Sequence, residues 1–241
     1  TFLLIRGVHE STTVNKILVG VKLIAIFVFL LLAGPSVDTM NWEPFMPFGY
    51  AGVSAGAAFI FFAYLGFDAI STAAEETRNP SRDMPIGIIV SLLICTVLYI
   101  AVSCVLTGVV PYTELNTAEP VTFVLRKLGY NFGSAIVGTG AIAGLTTVCL
   151  VMIYAQTRAF FAMARDGLIP EGICKVHPKY GTPHIATIFV GTVIALIAGF
   201  TPIGLVAEMC NIGTLFAFTV TTACVLVLRK TRPDMKRPFR C

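Results

Sequence analysis

Long blocks of apolar residues occupy most of the chain and limit its possible folds more than any other feature. Several blocks approach the roughly 20 residues that a helix needs to cross a bilayer, and charged residues make up only 12% of the chain. A soluble domain needs more polar surface than this. Inside a bilayer every backbone N–H and C=O group must be bonded within the protein, so such blocks predict helices. The sequence therefore predicts an all-α integral membrane protein.

Six apolar blocks predict six membrane-spanning helices in a single transmembrane domain over residues 1–241. The predicted spans are residues 16–33, 51–74, 86–110, 132–162, 185–200 and 205–228. Gly34 and Pro35 end the first span, and residues 201–204 separate the last two. We also expect the chain to be a fragment of a longer protein, since it begins without methionine.

Lysine and arginine residues are unevenly distributed between the two ends of these spans. Arg126 and Lys127 lie on one side, and every other basic residue except Lys22 lies on the opposite side. Cytoplasmic loops are enriched in Lys and Arg, so the second side is predicted to be cytoplasmic. Topology explains the net charge of +4, and no nucleic-acid partner is predicted. We expect a multi-pass protein of the cell membrane, plasma or inner; the sequence leaves the oligomeric state open.

The sequence contains no recognisable catalytic or metal-binding pattern. His9, His177 and His184 fall in predicted loops, and none belongs to a Ser/His or His-Glu-x-x-His arrangement. The seven cysteines form no Cys-x-x-Cys pair, and most lie in apolar blocks as small hydrophobic residues. We therefore predict neither an enzyme, a metal site nor a cofactor.

Ionisable residues inside predicted spans are costly, and they indicate function. Lys22 lies in the first span; its ammonium group either reaches the cytoplasmic headgroups or is buried as a cation between helices. Asp68 follows Gly66 in the second span. One alternative is a helix that unwinds at Gly66 and exposes carbonyl groups to a bound ammonium. The other is a straight helix, with Gly66 packed against a neighbour and Asp68 hydrogen-bonded inside the bundle.

Small residues fill the fourth predicted span from Gly133 to Thr147. Residues of this size let helices approach each other closely. Thr146 and Thr147 add hydroxyl groups that could also line a cation site.

Three separated segments carry a recognisable pattern. They are residues 61–68 with 74–80, residues 156–158 with 162–170, and residues 7–11 with Asn15. In the first, Phe-Phe-Ala-Tyr-Leu-Gly-Phe-Asp is followed by Ala-Glu-Glu-Thr-Arg-Asn-Pro. In turn, these segments resemble the sixth helix and its loop, the end of the eighth helix, and the approach to the fifth helix of the cationic amino-acid transporter family. That family belongs to the amino acid–polyamine–organocation superfamily.

The resemblance implies a leucine-transporter-type fold of two inverted five-helix repeats, with the substrate site at their interface. The chain would supply part of this fold, namely the fifth helix and the complete second repeat. Phe62 would cover the bound substrate, and the carbonyl groups of Ala63 and Leu65 would bind its ammonium group beside a break at Gly66. Asp68 would lie nearest a cationic side chain of the substrate.

The resemblance also implies a proton-coupling site. Lys22 would stand where sodium-coupled relatives of this fold bind a cation, and Thr146 and Thr147 would line that place. A lysine there argues against sodium coupling, because its ammonium group and Na⁺ would compete for one site. Protonation changes at Lys22 would then bias the helix rearrangement.

The function implied is secondary active transport, in which proton-coupled uptake of cationic or broad-range L-amino acids proceeds by alternating access. Its partners would be the amino-acid substrate, protons and the lipid bilayer. A neutral amino-acid or polyamine permease, an amino-acid exchanger, and a non-transporting amino-acid sensor stay open as alternatives.

Overall fold

The computed structural model describes residues 4, 8–71, 77, 79–170, 172, 177 and 182–232, with side chains left undescribed at residues 8–12. Parts of the recognised pattern, residues 7, 74–76 and 78, therefore lie outside the described residues. The described chain forms α-helices and short 3-10 turns, without a strand. The helices are α1 (Val8–Ala33), α2 (Gly49–Tyr64), α3 (Pro80–Val109), α4 (Pro120–Lys127), α5 (Asn131–Arg165), α6 (His184–Phe200) and α7 (Ile203–Thr231).

Most of these helices have the length and composition of membrane spans. Among the described residues, five apolar segments are long enough to cross a bilayer, and they contain α1, α2, α3, α5 and α7. Helix α6 is equally apolar but has only 17 residues. Helices are the structures that bond every backbone group within a single segment in hydrocarbon. The prediction of an all-α membrane protein is confirmed.

Helices α1 and α5 form the most extensive contact between described elements. Glycines bring them together: a Cβ atom at Gly140 would overlap the Cβ of Ala25, and one at Gly133 would lie 2.5 Å from the Cδ1 of Leu32. Residue numbers rise along one helix as they fall along the other, so the two helices are antiparallel. Without a hydrophobic force between helices in lipid, such close van der Waals packing holds them together.

The short helix α4 closes the end of the bundle near Ala33, and the six predicted spans do not include it. One face of α4 carries the buried Val124 and Leu125, whereas Arg126 and Lys127 in its last turn are exposed. These two apolar residues belong to a core cluster with residues from α1, α5 and the end of α3. Its buried members are Phe29, Ala33, Val110, Val124, Leu125 and Val137.

Candidate functional site

Helix α2 breaks at the predicted position. It ends at Tyr64; Leu65 is extended, with φ −58° and ψ 132°, and Gly66 has φ +123°. A 3-10 turn follows over residues 68–71. Glycine adopts a positive φ without the steric cost that a Cβ would bring. Of the two alternatives for this segment, the interrupted helix is found, and the straight helix is wrong.

The break leaves backbone groups that need new partners. The Gly66 N–H donates to Oδ1 of Asp68 at 3.1 Å, so this carboxylate caps the break through a contact two residues away. The carbonyl of Ala63 accepts a hydrogen bond from the Tyr99 hydroxyl at 2.9 Å. The carbonyl of Leu65 accepts no hydrogen bond from any residue that the structure describes. An ammonium group is a suitable donor for such an oxygen.

Three neighbouring helices meet the break. A Cβ atom at Gly66 would lie 3.1 Å from Cε of Met152 on α5. The Phe218 ring on α7 lies 6.3 Å from the ring of Phe61 and 5.5 Å from that of Phe67. Aromatic residues before and after the break therefore contact the same ring. On the α3 side, the ring of Tyr99 lies 5.2 Å from the ring of Tyr64, the last residue of α2.

Most of the residues predicted to contact a substrate are exposed. Phe62 is 46% exposed, and Ala63 and Asp68 are also exposed, whereas Leu65 is half-buried. Together with the capped Gly66, these residues lie within one short segment of α2 and its break. The structure thus brings the five predicted substrate residues together through the local course of the backbone.

Lys22 lies where α1 faces α5. It is half-buried, and a Cβ atom at Gly144 would lie 3.6 Å from its Cδ. It makes no hydrogen bond or ion pair with any described residue. Lys22 lines a cavity of about 910 Å³ together with Ala25, Gly140 and Gly144.

The opposite side of this cavity carries a polar network that joins α4 to α5. Thr122 donates from its hydroxyl to Oε2 of Glu119 at 2.8 Å, and Arg126 forms an ion pair with the same carboxylate at 3.3 Å. Nε of Arg126 donates to Oγ of Ser134 at 3.2 Å. This network could not be predicted from the sequence, because it depends on where α4 packs.

The two threonines predicted to accompany Lys22 differ in their surroundings. Thr147 is buried, and its hydroxyl donates to the carbonyl of Gly144 at 2.7 Å. Thr146 is exposed and donates to the carbonyl of Ile142 at 2.9 Å. Neither threonine lines the cavity that contains Lys22.

Helix α5 connects the two predicted sites. Gly144 adjoins Lys22, and Met152 adjoins the break at Gly66. These two α5 residues are separated by about 12 Å along the helix axis, given a rise of 1.5 Å per residue. The surroundings of Lys22 and the interrupted helix therefore contact the same rigid element.

Comparisons with known proteins show similarity to permeases and transporters. The model of the family described as "Amino acid permease" matches residues 1–241. The branched-chain amino acid permease BcaP of Bacillus subtilis (strain 168) is 49% identical over 242 residues, covering 100% of this chain and 52% of that protein. The methylthioribose transporter of the same organism is 51% identical over 240 residues, with 100% and 52% covered.

A plant relative matches the chain at lower identity. The vacuolar cationic amino acid transporter 4 of Arabidopsis thaliana is 39% identical over 240 residues, which cover 97% of this chain and 40% of that protein. The chain spans about half the length of the Bacillus relatives it matches. These relatives are named as permeases and transporters, in agreement with the prediction that the chain is not an enzyme. The chain belongs to the amino acid permease family and is a multi-pass membrane protein.

Proposed function

We propose that this chain supplies the substrate site of a secondary transporter that carries amino acids by alternating access. The observation that carries the proposal is the break in α2, where the Leu65 carbonyl accepts no hydrogen bond from a described residue and lies next to the exposed Ala63 and Phe62. Broken helices with free backbone groups are typical of substrate sites at the midplane of transporters. Membership of the amino acid permease family supports the same conclusion.

The substrate would bind through its ammonium group. The carbonyl oxygens of Ala63 and Leu65 would accept hydrogen bonds from it, and Phe62 would cover its apolar part. Helices absent from this chain would complete the site around the carboxylate. The support for this arrangement is the accessibility of the three residues and the course of the backbone at Gly66.

We propose that Asp68 gives the site a preference for cationic side chains. Its carboxylate is exposed, and within the described part of the chain its Oδ1 accepts the Gly66 N–H. The names of the relatives point to different substrates, since one is named for branched-chain and another for cationic amino acids. A neutral permease is therefore the alternative within the same mechanism.

We propose that Lys22 couples transport to protons. The support is a half-buried ammonium group without a described partner, facing α5, since a charged group inside an apolar span is costly and marks a functional position. The two conformations must bind the proton with different affinity for such coupling to operate. We propose that Thr147, which is buried one turn from Gly144, accompanies Lys22 at this site. Thr146 is exposed, so the same role has less support for it.

We also propose that the chain is part of a leucine-transporter-type inverted-repeat fold in a plasma or inner membrane. Helix α1 would be its fifth helix, and α2, α3, α5, α6 and α7 would be helices six to ten. The order of these helices and the break in α2 support the assignment. The relatives, about twice as long, leave room for a first repeat.

Methylthioribose is the second candidate substrate, because a transporter named for it is 51% identical to this chain. This thioether sugar carries neither an ammonium nor a carboxylate group. It would use different contacts at the break, with hydroxyl groups as donors to the carbonyl oxygens.

A competition experiment separates these functions. The full-length protein in proteoliposomes would exchange internal arginine for labelled external arginine, with unlabelled arginine, alanine, putrescine or methylthioribose as competitors. The proposal predicts strong competition by arginine, weaker competition by alanine, and little by the other two. Dominant competition by methylthioribose would favour the second candidate. Binding of arginine without exchange would indicate a non-transporting amino-acid sensor instead of a transporter.

A further inference from the structure

The hydroxyl of Tyr99 donates to a carbonyl group that lies at the break in α2. In an uninterrupted helix the carbonyl of Ala63 would accept a hydrogen bond from the N–H of residue 67, four positions later. The break removes that bond, and the N–H of Gly66 is already donated to Asp68. Tyr99, on α3, donates to the Ala63 carbonyl instead, at 2.9 Å.

A second contact fixes the same end of α2 to α3. The hydroxyl of Tyr64 donates to Oγ1 of Thr96 at 3.1 Å, and Thr96 in turn donates to the Leu92 carbonyl at 2.8 Å. The rings of Tyr64 and Tyr99 meet edge to face, with centroids 5.2 Å apart and planes at 80°. Each helix thus donates one hydroxyl to the other, but only that of Tyr99 reaches a carbonyl proposed to bind substrate.

We propose that Tyr99 is a positioning residue of the substrate site, which holds the Ala63 carbonyl in place and leaves its second lone pair open to the substrate ammonium group. This inference rests on the proposed function. A carbonyl oxygen has two lone pairs, so one hydroxyl donor and one ammonium donor can share it. Tyr99 acts through Ala63 and does not itself contact the substrate.

Removing the Tyr99 hydroxyl should weaken only the binding of the substrate ammonium group. Without Tyr99 the Ala63 carbonyl lacks its fixed partner, and the last turn of α2 can rotate away from the orientation that receives the ammonium group. A ligand that has no ammonium group gains nothing from this orientation. Loss of the hydroxyl therefore weakens binding of amino acids and spares ligands that bind through other groups.

Tyr99→Phe is the test, with Tyr64→Phe as the matched control. Each variant of the full-length protein keeps both rings and loses one hydroxyl of the pair. We expect Tyr99→Phe to raise KM for alanine about tenfold, the effect of losing one hydrogen bond, with kcat changed much less. Tyr64→Phe should leave KM for alanine within about twofold of the wild-type value, because the Tyr64 hydroxyl bonds Thr96.

The second part of the test uses a ligand that lacks the ammonium group. Propionate is alanine with its ammonium group replaced by hydrogen, and its inhibition constant for alanine uptake should be the same in Tyr99→Phe and in the wild type. A parallel loss of propionate and alanine binding would overturn the inference, as would equal KM increases in the two tyrosine variants. An unchanged KM in Tyr99→Phe would also overturn it.

Hydrogen exchange separates failure of this inference from failure of the proposed function. In the absence of substrate, amides in residues 60–70 should exchange faster in Tyr99→Phe than in Tyr64→Phe. If the wild type carries no amino acid, the proposed function fails, and the role of Tyr99 toward an ammonium group fails with it. Equal exchange in both variants, with wild-type transport intact, overturns the positioning role alone.

Discussion

Gly140 of α5 packs directly against Ala25 of α1. A Cβ atom at position 140 would overlap the Cβ of Ala25 and would lie 3.7 Å from its Cα. The backbones of the two helices therefore approach each other as closely as a glycine permits. Lys22 lies one turn away on α1, so this contact also determines the distance between Lys22 and α5.

Gly140→Ala should force the two helices apart. Overpacking of a close contact costs about 1–3 kcal/mol, so we expect a lower melting temperature of the full-length protein in detergent. Gly138→Ala is the control on the same helix, because its Cβ would lie 3.7 Å from Thr122, an ordinary contact. That change should be neutral or slightly stabilising, since alanine favours a helix. Equal melting temperatures for the two variants would contradict the close approach at position 140.

Gly66→Ala should disturb the break. A side chain at φ +123° is strained, with a cost of about 1–3 kcal/mol, and the added carbon would also press on the methyl group of Met152. Substrate uptake should fall about five- to 150-fold, since each 1.4 kcal/mol corresponds to a factor of ten.

The control for this change is Gly56→Ala in the regular part of α2, where no described atom beyond the adjacent helix backbone lies within 4 Å of the added carbon. We expect wild-type uptake from Gly56→Ala. Wild-type uptake and stability from Gly66→Ala as well would show that the conformation at the break does not matter for transport.

Asp68→Asn should separate the charge of this residue from its capping role. An asparagine side-chain oxygen can still accept the hydrogen bond from the Gly66 N–H, but the negative charge is gone. KM for arginine should rise about tenfold or more, and KM for alanine should change little. Asp68→Ala removes the cap as well and should impair uptake of both substrates. If Asp68→Asn prefers arginine over alanine as strongly as the wild type does, another residue determines cation selectivity.

Part of this architecture is predictable because it depends on short stretches of sequence. Long apolar blocks require helices in hydrocarbon, and the fold class follows from them. Gly66 could be recognised as a candidate break because glycine interrupts a bulky apolar run there, although the sequence left a straight helix open as the alternative. Lys22 was identified because a charge inside an apolar block is costly.

The remaining features depend on contacts between distant segments. Tyr99 is an ordinary residue of an apolar span, and only the packing of α3 against α2 brings its hydroxyl to Ala63. Helix α4 is a short amphipathic piece in a polar loop, and its position depends on the core around Val124. Thr146 and Thr147 are adjacent in sequence, but helix rotation buries one and exposes the other.

The most direct test of the central claim is accumulation of labelled arginine by the full-length protein in proteoliposomes, with and without an inward proton gradient. Wild type and Lys22→Ala would be compared, with arginine binding measured in both to confirm an intact site. The account predicts accumulation above the external concentration only in the wild type and only with the gradient. Gradient-driven accumulation by Lys22→Ala equal to that of the wild type would contradict it.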